Sequence, residues 1–210
     1  MSKIAVLAHP YGPLGGNRND PCIVSMADSL RECGFHVITF DFKNANDSSL
    51  SAWLRPLSGP RDVRHFQSVL QRAIDDVLAE GKLVEHVVLG GFSYGARVSM
   101  QVQLPEAISK DTIVQYVLLN PFCGFLSSFV MCSFVDSTAS VREESDVLLV
   151  WSKKDEFTGE NSFHKLARNL TKKHCRLEEL VLPGGHFVDA TAMGKVLLPL
   201  QEMVMRGRDR

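Results

Sequence analysis

Residues 87–95 of the chain are Val87-Val88-Leu89-Gly90-Gly91-Phe92-Ser93-Tyr94-Gly95, an apolar run that ends in a serine between two glycines. A helix-like stretch, Ala96 to Val102, follows directly. The pattern Gly-x-Ser-x-Gly between a strand and a helix predicts a tight turn that lifts the serine hydroxyl above the sheet. Only small residues fit two places before and after the serine, and Gly91 and Gly95 meet that need. The segment therefore predicts a strand–turn–helix unit that presents Ser93 as a nucleophile.

The rest of the chain alternates between short apolar runs and helical patterns. Six short apolar runs are typical of strands, and several of them are continuous and β-branched: Ile4–Ala8, Phe35–Phe42, His86–Gly91, Ile113–Leu119, Val147–Trp151 and Leu177–Leu182. Asp20 and Pro21 are suited to begin the first helix, and Pro199 predicts a kink or a fresh start in the last one. Continuous apolar strands between helices are typical of a parallel sheet buried on both faces. We therefore predict an α/β fold with three layers, α/β/α, in which residues 1–210 form a single domain.

Composition narrows the function classes. The 210 residues carry a formal net charge of -1, with 45% hydrophobic and 22% charged residues, which gives no indication of a nucleic-acid partner. The five cysteines are an odd number without a CxxC pair, so we expect reduced thiols rather than a disulfide framework. We find no signal-like N-terminus and no apolar run long enough to cross a bilayer, and we predict a cytoplasmic protein without a membrane span.

Two loops that follow predicted strands supply the partners a nucleophilic serine needs. A serine is activated by a base, and the base must be held by a third group. The loop after Val147–Trp151 contains Asp155, and the loop after Leu177–Leu182 contains His186 between Gly185 and an aromatic residue. We predict that His186 takes the proton of Ser93 and that Asp155 orients His186. Glu156 and Asp189 are competing acids, and Asp189 is better suited to cap the last helix.

The loop after the first strand is the candidate site for stabilising a developing oxyanion. It runs from Ala8 to Asn17 and is rich in glycine, so a backbone N–H can point inward. We predict the backbone N–H groups of Tyr94 and Tyr11 as donors, with Gly12 as the second choice in the loop. His9 is expected to brace this loop. The loop matches no nucleotide-binding glycine pattern and the histidines show no ligand spacing, so we predict no cofactor and no metal.

Aromatic residues near the serine predict an apolar substrate site. The candidates are Phe92, next to the serine, and Phe122 and Phe125 in the segment after the fourth strand. That segment, Asn120 to Ser140, is rich in Phe and Leu. It is equally consistent with a short lid or pocket wall and with an ordinary crossover helix that fills the core.

With the parts in the order Ser93, Asp155, His186, the chain resembles the α/β-hydrolase superfamily. It is most similar to small, cap-poor members akin to dienelactone hydrolases and small bacterial-type esterases, which share an early His-Pro followed by Gly-Gly, here His9-Pro10 and Gly15-Gly16. The resemblance implies a mainly parallel sheet flanked by helices. The sheet of this superfamily opens with two further strands, so we expect a truncated sheet of about six strands here. The missing strands would leave one edge of the sheet unpaired, and a second copy of the chain could cover that edge in a homodimer.

The resemblance implies hydrolysis of acyl compounds. Because the nucleophile is Ser93 and not the cysteine of dienelactone hydrolases, an ester-type substrate is favoured. The leading hypothesis is a serine hydrolase that cleaves a small or medium carboxylic ester or thioester through an acyl-enzyme. The alternative is a non-catalytic binding or scaffold protein with the same fold. The sequence does not separate water from another acyl acceptor.

Overall fold

A computed structural model of the chain describes residues 2–43, 59–124 and 138–207. Its centre is one sheet of six parallel strands in the order β2-β1-β3-β4-β5-β6. The strands are β1 (Ser2–Ala8), β2 (His36–Phe40), β3 (Val84–Phe92), β4 (Ile113–Leu119), β5 (Asp146–Ser152) and β6 (Arg176–Leu182). The predicted parallel sheet of about six strands is confirmed.

Helices cover both faces of the sheet. In the part of the chain that the structure describes, they are α1 (Pro21–Glu32), α2 (Gly59–Ala79), α3 (Tyr94–Ser99), α4 (Glu160–Lys172) and α5 (Ala190–Arg206), and a 3-10 turn lies at Gly12–Leu14. The apolar sides of α1 and α5 pack together on one face, and those of α2, α3 and α4 pack on the other. The three-layer α/β/α arrangement predicted from the sequence is therefore confirmed.

The burial of the strands explains why they could be read from the sequence. All seven residues of β5 are buried, and the last five of β1 are buried as well, because helices cover both sides. The edge strands β2 and β6 are more exposed. β2 is shorter than the predicted run Phe35–Phe42, because the N–H of Phe42 bonds to the His9 side chain instead of a neighbouring strand.

Local signals set the helix ends. The carboxylate of Asp20 accepts a hydrogen bond of 2.9 Å from the N–H of Cys22, and Pro21 occupies the first turn of α1. Pro199 does not restart the last helix, since it lies inside the continuous α5. Lys195, one turn earlier, is exposed, so the carbonyl that loses its helical donor can bond to water.

The helix after Ser93 is shorter than the stretch from Ala96 to Val102 that the sequence indicated. It ends at Ser99, and beyond it the N–H groups of Gln101 and Val102 bond to carbonyls three residues back. In the described part of the chain, no helix has the length and apolarity that a bilayer crossing requires. The cysteines described there, Cys22, Cys33, Cys123 and Cys175, are free thiols.

Candidate active site

Ser93 sits in the sharp turn between β3 and α3. Its backbone angles are φ 55° and ψ -115°, and residues other than glycine rarely adopt such a positive φ. The turn is held from both sides, because the Ser93 N–H donates to the Leu119 carbonyl at 2.8 Å and the Ser93 carbonyl accepts from the Arg97 N–H at 3.1 Å. The surrounding hydrogen bonds thus maintain a strained residue at the end of a central strand.

The glycines around Ser93 are required by close contact with the first strand. A Cβ atom on Gly91 would lie 2.3 Å from the carbonyl oxygen of Ala8, and one on Gly95 would lie 2.1 Å from the same oxygen. Both distances are far inside van der Waals contact. The predicted need for small residues on either side of the serine is confirmed, and the main chain of β1 is what makes the turn narrow.

The structure brings the three predicted residues together. The distance from Ser93 Oγ to His186 Nε2 is 2.7 Å, and His186 Nδ1 lies 2.7 Å from Asp155 Oδ2. All three side chains are buried. Since the carboxylate of Asp155 only accepts, the imidazole donates through Nδ1–H, and Nε2 is left to accept the hydroxyl proton of Ser93.

Asp155 is fixed in the orientation that faces His186. Its second carboxylate oxygen, Oδ1, accepts hydrogen bonds of 2.8 Å from the N–H groups of Phe157 and Thr158. The turn after β5 therefore provides two backbone donors to the same side chain. A carboxylate held in this way can orient the imidazole without rotating toward solvent.

The two competing acids have other partners. Glu156 Oε2 accepts the backbone N–H of His186 at 2.8 Å, and this hydrogen bond is the main reason that the pKa of Glu156 is lowered. Asp189 accepts the N–H of Ala192 at 2.8 Å and caps α5, as predicted. Neither carboxylate bonds to the imidazole of His186.

Asn120 is a residue of the site that the sequence reasoning missed. It follows β4 directly, is buried, and has a positive φ of 40°. Its Nδ2 donates to the His186 carbonyl at 2.7 Å and to Ser152 Oγ at 3.0 Å. The signal in the sequence was a polar side chain immediately after a buried strand, at the same edge of the sheet as Ser93.

Three aromatic rings surround the imidazole of His186. Phe92 stacks on it with a centroid distance of 5.4 Å and is 2% exposed. Phe157 and Phe187 contact it edge-on at 4.8 and 5.6 Å. The ring of Phe92 is buried in the hydrophobic core, so the stacking contact joins the imidazole to that core.

The predicted substrate residues fall in different places. Phe122 is half-buried and its N–H donates to the Ser93 carbonyl at 3.1 Å, which places its main chain beside the serine. Phe125 lies outside the described residues, as does most of the segment Asn120 to Ser140. A substrate contact for Phe92, Phe122 or Phe125, and the choice between a lid and a crossover helix, stay predictions.

The loop after β1 packs against the serine turn. His9 is fully buried, donates from Nδ1 to the Pro10 carbonyl at 2.5 Å and accepts the Phe42 N–H at Nε2. Burial lowers the pKa of His9, which favours the neutral ring that this pattern needs. His9 thus braces the loop, as its sequence context indicated.

Tyr11 lies beside the residue that follows the serine. Its ring meets that of Tyr94 edge-on at a centroid distance of 5.2 Å, and the Tyr94 hydroxyl donates to Asp62 Oδ2 at 2.7 Å. These contacts anchor both tyrosines near the turn. Donation to an oxyanion from the two backbone N–H groups stays a prediction.

The described residues give no sign of a metal centre. Within 2–43, 59–124 and 138–207, no group of three or more His, Cys, Asp or Glu side chains is arranged to hold an ion. The chemistry that the site can perform with its own groups is proton transfer between Ser93 and His186 and attack by the serine oxygen.

Known proteins resemble this chain in sequence and in fold. No protein-family model matches the chain. The uncharacterised protein C959.06c of Schizosaccharomyces pombe is 34% identical over 175 residues, which are 83% of this chain and 72% of that protein.

Solved structures share the fold at low sequence identity. An α/β serine hydrolase homologue from Coxiella burnetii aligns with a TM-score of 0.66 and 19% identity over 96% of this chain and 85% of that one. A serine hydrolase without a lid from Xanthomonas campestris aligns with a TM-score of 0.65 and 19% identity over 98% and 83%. At such identities the likeness establishes the fold.

Proposed function

Because the chain belongs to the family of the fission yeast protein C959.06c and has the α/β-hydrolase fold, we propose that it is a serine hydrolase that cleaves a small or medium carboxylic ester or thioester. The observation that carries the proposal is the pair of 2.7 Å contacts that link Ser93, His186 and Asp155. A relay of this geometry makes a hydroxyl nucleophilic at neutral pH.

In the first half of the reaction, Ser93 Oγ attacks the carbonyl carbon of the substrate while its proton passes to His186 Nε2. Asp155 stabilises the imidazolium that forms, and a general base placed in this way typically contributes about 10²–10⁴-fold to the rate. The proton then moves from His186 to the leaving oxygen or sulfur as its bond to the carbonyl carbon breaks. The acyl group remains on Ser93 and the alcohol or thiol departs.

The negative charge on the carbonyl oxygen is stabilised by backbone donors. We assign this role to the N–H groups of Tyr94, at the start of α3, and of Tyr11, in the loop that packs against the serine turn. One donor of this kind is worth about 3 kcal/mol in the transition state. The tight packing of Ala8 against Gly95 holds the two segments in a fixed relation.

The second half of the reaction returns the enzyme to its starting state. Water loses a proton to His186 Nε2 and attacks the acyl carbon, the bond to Ser93 Oγ breaks, and the proton returns to that oxygen. The products are a carboxylic acid and the free enzyme. We propose a reducing cytoplasm as the setting, because the described cysteines, Cys22, Cys33, Cys123 and Cys175, are free thiols and form no disulfide framework.

Labelling with a fluorophosphonate probe tests the proposal directly. We expect stoichiometric labelling of the wild type, and no labelling of Ser93→Ala or His186→Ala. Ser99→Ala is the matched control, because Ser99 is a buried serine at the end of α3 whose hydroxyl donates to the Ala96 carbonyl of the same helix at 2.9 Å. It should label like the wild type.

Hydrolysis of p-nitrophenyl esters gives the second measurement. A burst of one nitrophenol per protein, followed by slower turnover, is the expected signature of an acyl-enzyme. Folded wild type that neither labels nor turns over these esters would reject catalysis and favour the alternative of a binding or scaffold protein. Sedimentation of the same sample would test the homodimer, which stays a prediction.

A further inference from the structure

Two aromatic side chains next to the imidazole of His186 are exposed to solvent. Phe187 is 71% exposed and Phe157 is 36% exposed, in contrast to the buried Phe92 on the same histidine. The two exposed rings also contact each other, with a centroid distance of 6.1 Å. We call Phe157 and Phe187 the aromatic pair.

Isolated exposed apolar residues are common on protein surfaces and need no explanation. The aromatic pair differs because its members come from two separate loops, after β5 and after β6, and converge on one imidazole. Each is held there by its neighbours. The N–H of Phe157 bonds to Asp155, and Phe187 directly follows His186. The pair therefore lies beside the imidazole that takes part in the proposed reaction.

The chemistry of acyl transfer tells which part of a substrate lies beside His186. The carbonyl oxygen faces the oxyanion donors, which we assign to Tyr94 and Tyr11. The leaving oxygen receives its proton from His186 Nε2, so it must come within hydrogen-bond distance of that atom. The substituent on the leaving oxygen consequently extends past the imidazole and its exposed neighbours.

We propose that the aromatic pair forms a binding site for the leaving group, and that the protein prefers esters of apolar alcohols that carry a ring. The inference rests on the serine hydrolase function proposed above. A ring that stacks on or against Phe187 covers apolar surface that is otherwise in water, and such a contact discriminates between leaving groups by about tenfold.

Two ester series separate the leaving-group side from the acyl side. The first compares benzyl acetate with ethyl acetate, whose alcohols have similar acidity, and the second compares ethyl butyrate with ethyl acetate. In the wild type we expect kcat/KM to favour benzyl acetate over ethyl acetate. In Phe187→Ala this preference should fall by about tenfold, and in Phe157→Leu by less, while the ratio of butyrate to acetate stays unchanged in both.

Leu83→Ala provides the matched control. Leu83 is 70% exposed, close to the value for Phe187, but it precedes β3 at the opposite end of the sheet from Ser93. It should alter neither ratio. Because Phe187 is mostly exposed, its replacement leaves the core intact, and fluorophosphonate labelling of each variant reports that Ser93 and His186 still function.

The outcomes distinguish the two proposals. Labelled enzyme with an unchanged benzyl-to-ethyl ratio in Phe187→Ala would overturn the leaving-group site and leave the hydrolase function standing. A change in the acyl series alone would also overturn it, since the rings would then contact the acyl chain. Wild type that is neither labelled nor active on any ester would reject the hydrolase function, and the leaving-group site with it.

Discussion

His186 is held through its main chain as well as through its ring. Glu156 accepts the backbone N–H and Asn120 donates to the carbonyl, while Asp155 bonds to the imidazole. Three side chains from two loops thus fix a residue in a glycine-rich segment, where the backbone would otherwise be free to move. A Cβ on Gly185 would lie 2.5 Å from Glu156 Oε1, so the glycine leaves room for the carboxylate that accepts the His186 N–H.

Asn120→Ala should lower activity by misplacing the imidazole. The variant leaves the His186 carbonyl without its side-chain donor, and small displacements of a base reduce proton transfer strongly. We expect kcat to fall about tenfold to a hundredfold with little change in KM. Steady-state kinetics on p-nitrophenyl esters, beside the rate of fluorophosphonate labelling, would measure this.

The matched control for this substitution is Asn161→Ala, because Asn161 is exposed in α4. It should leave both rates unchanged. Asn120→Ala with wild-type kcat would mean that Asp155 and Glu156 alone suffice to position His186. A parallel rise in KM would instead point to Asn120 as a substrate contact.

At the scale of elements, the serine turn and β1 form one packed unit. The same carbonyl oxygen, of Ala8, limits the space at both Gly91 and Gly95. The loop that continues from Ala8 is in turn braced by His9 against Phe42. The end of β1 therefore constrains the turn that carries Ser93.

Two glycine substitutions should have opposite effects on stability. Gly95→Ala places a methyl group 2.1 Å from the Ala8 carbonyl oxygen, and we expect a loss of about 3 kcal/mol or more in the free energy of unfolding. Gly194→Ala lies within α5 where an added Cβ meets nothing within 4 Å. It should stabilise by about 0.5–1 kcal/mol, because alanine favours the helix.

Urea denaturation followed by circular dichroism measures both changes. Equal stabilities for Gly95→Ala and the wild type would show that β1 shifts to accept the methyl group. In that case labelling of Ser93 would also persist. We expect Gly95→Ala to lose both stability and the labelling of Ser93.

Elements buried on both sides could be predicted because their sequences are continuously apolar, as β5 is. The proximity of Ser93 and Asp155 could be predicted because each follows such a strand, and that of His186 because it lies in the glycine-rich loop after the last strand-like run, although that strand, β6, is a partly exposed edge strand. The hydrogen bonds of Asn120 and Glu156 to the main chain of His186 join residues that are 66 and 30 positions apart in the sequence. Periodicity and residue type carry no information about such contacts, which depend on how the loops meet in three dimensions.

In the molecule as a whole, the two ends of the sheet carry different groups of polar residues, one proposed for catalysis and the other structural. The residues proposed for catalysis follow the carboxyl ends of the strands. A buried polar network occupies the other end, where the Gln115 side chain accepts from His86 Nε2 at 2.7 Å and donates to Asp146 at 3.1 Å and to the Met203 carbonyl at 2.8 Å. This network ties α5 to the sheet.

Gln115→Ala should reduce stability without changing catalysis. It leaves buried groups on His86, Asp146 and Met203 with fewer partners, and we expect a loss of about 3 kcal/mol in the free energy of unfolding. Gln115 lies roughly 16 Å along β4 from Asn120. The fraction that remains folded should therefore keep the wild-type kcat, as measured by active-site titration.

Gln103→Ala is the control, since Gln103 is exposed and its replacement should change stability by less than about 0.5 kcal/mol. A fall in kcat per active site in Gln115→Ala would contradict the separation of the two ends.

Ser93 and His186 are 93 positions apart in the chain, so the serine is synthesised well before its proposed base. A growing chain that has released β3 but not β6 carries Ser93 without His186, and among the described strands β6 pairs with β5 alone. Under the proposed mechanism, Ser93 therefore lacks the base that would activate it throughout synthesis and early folding, when an activated serine would meet unintended acyl donors. Addition of the probe at successive times during refolding would time the docking of the final strand.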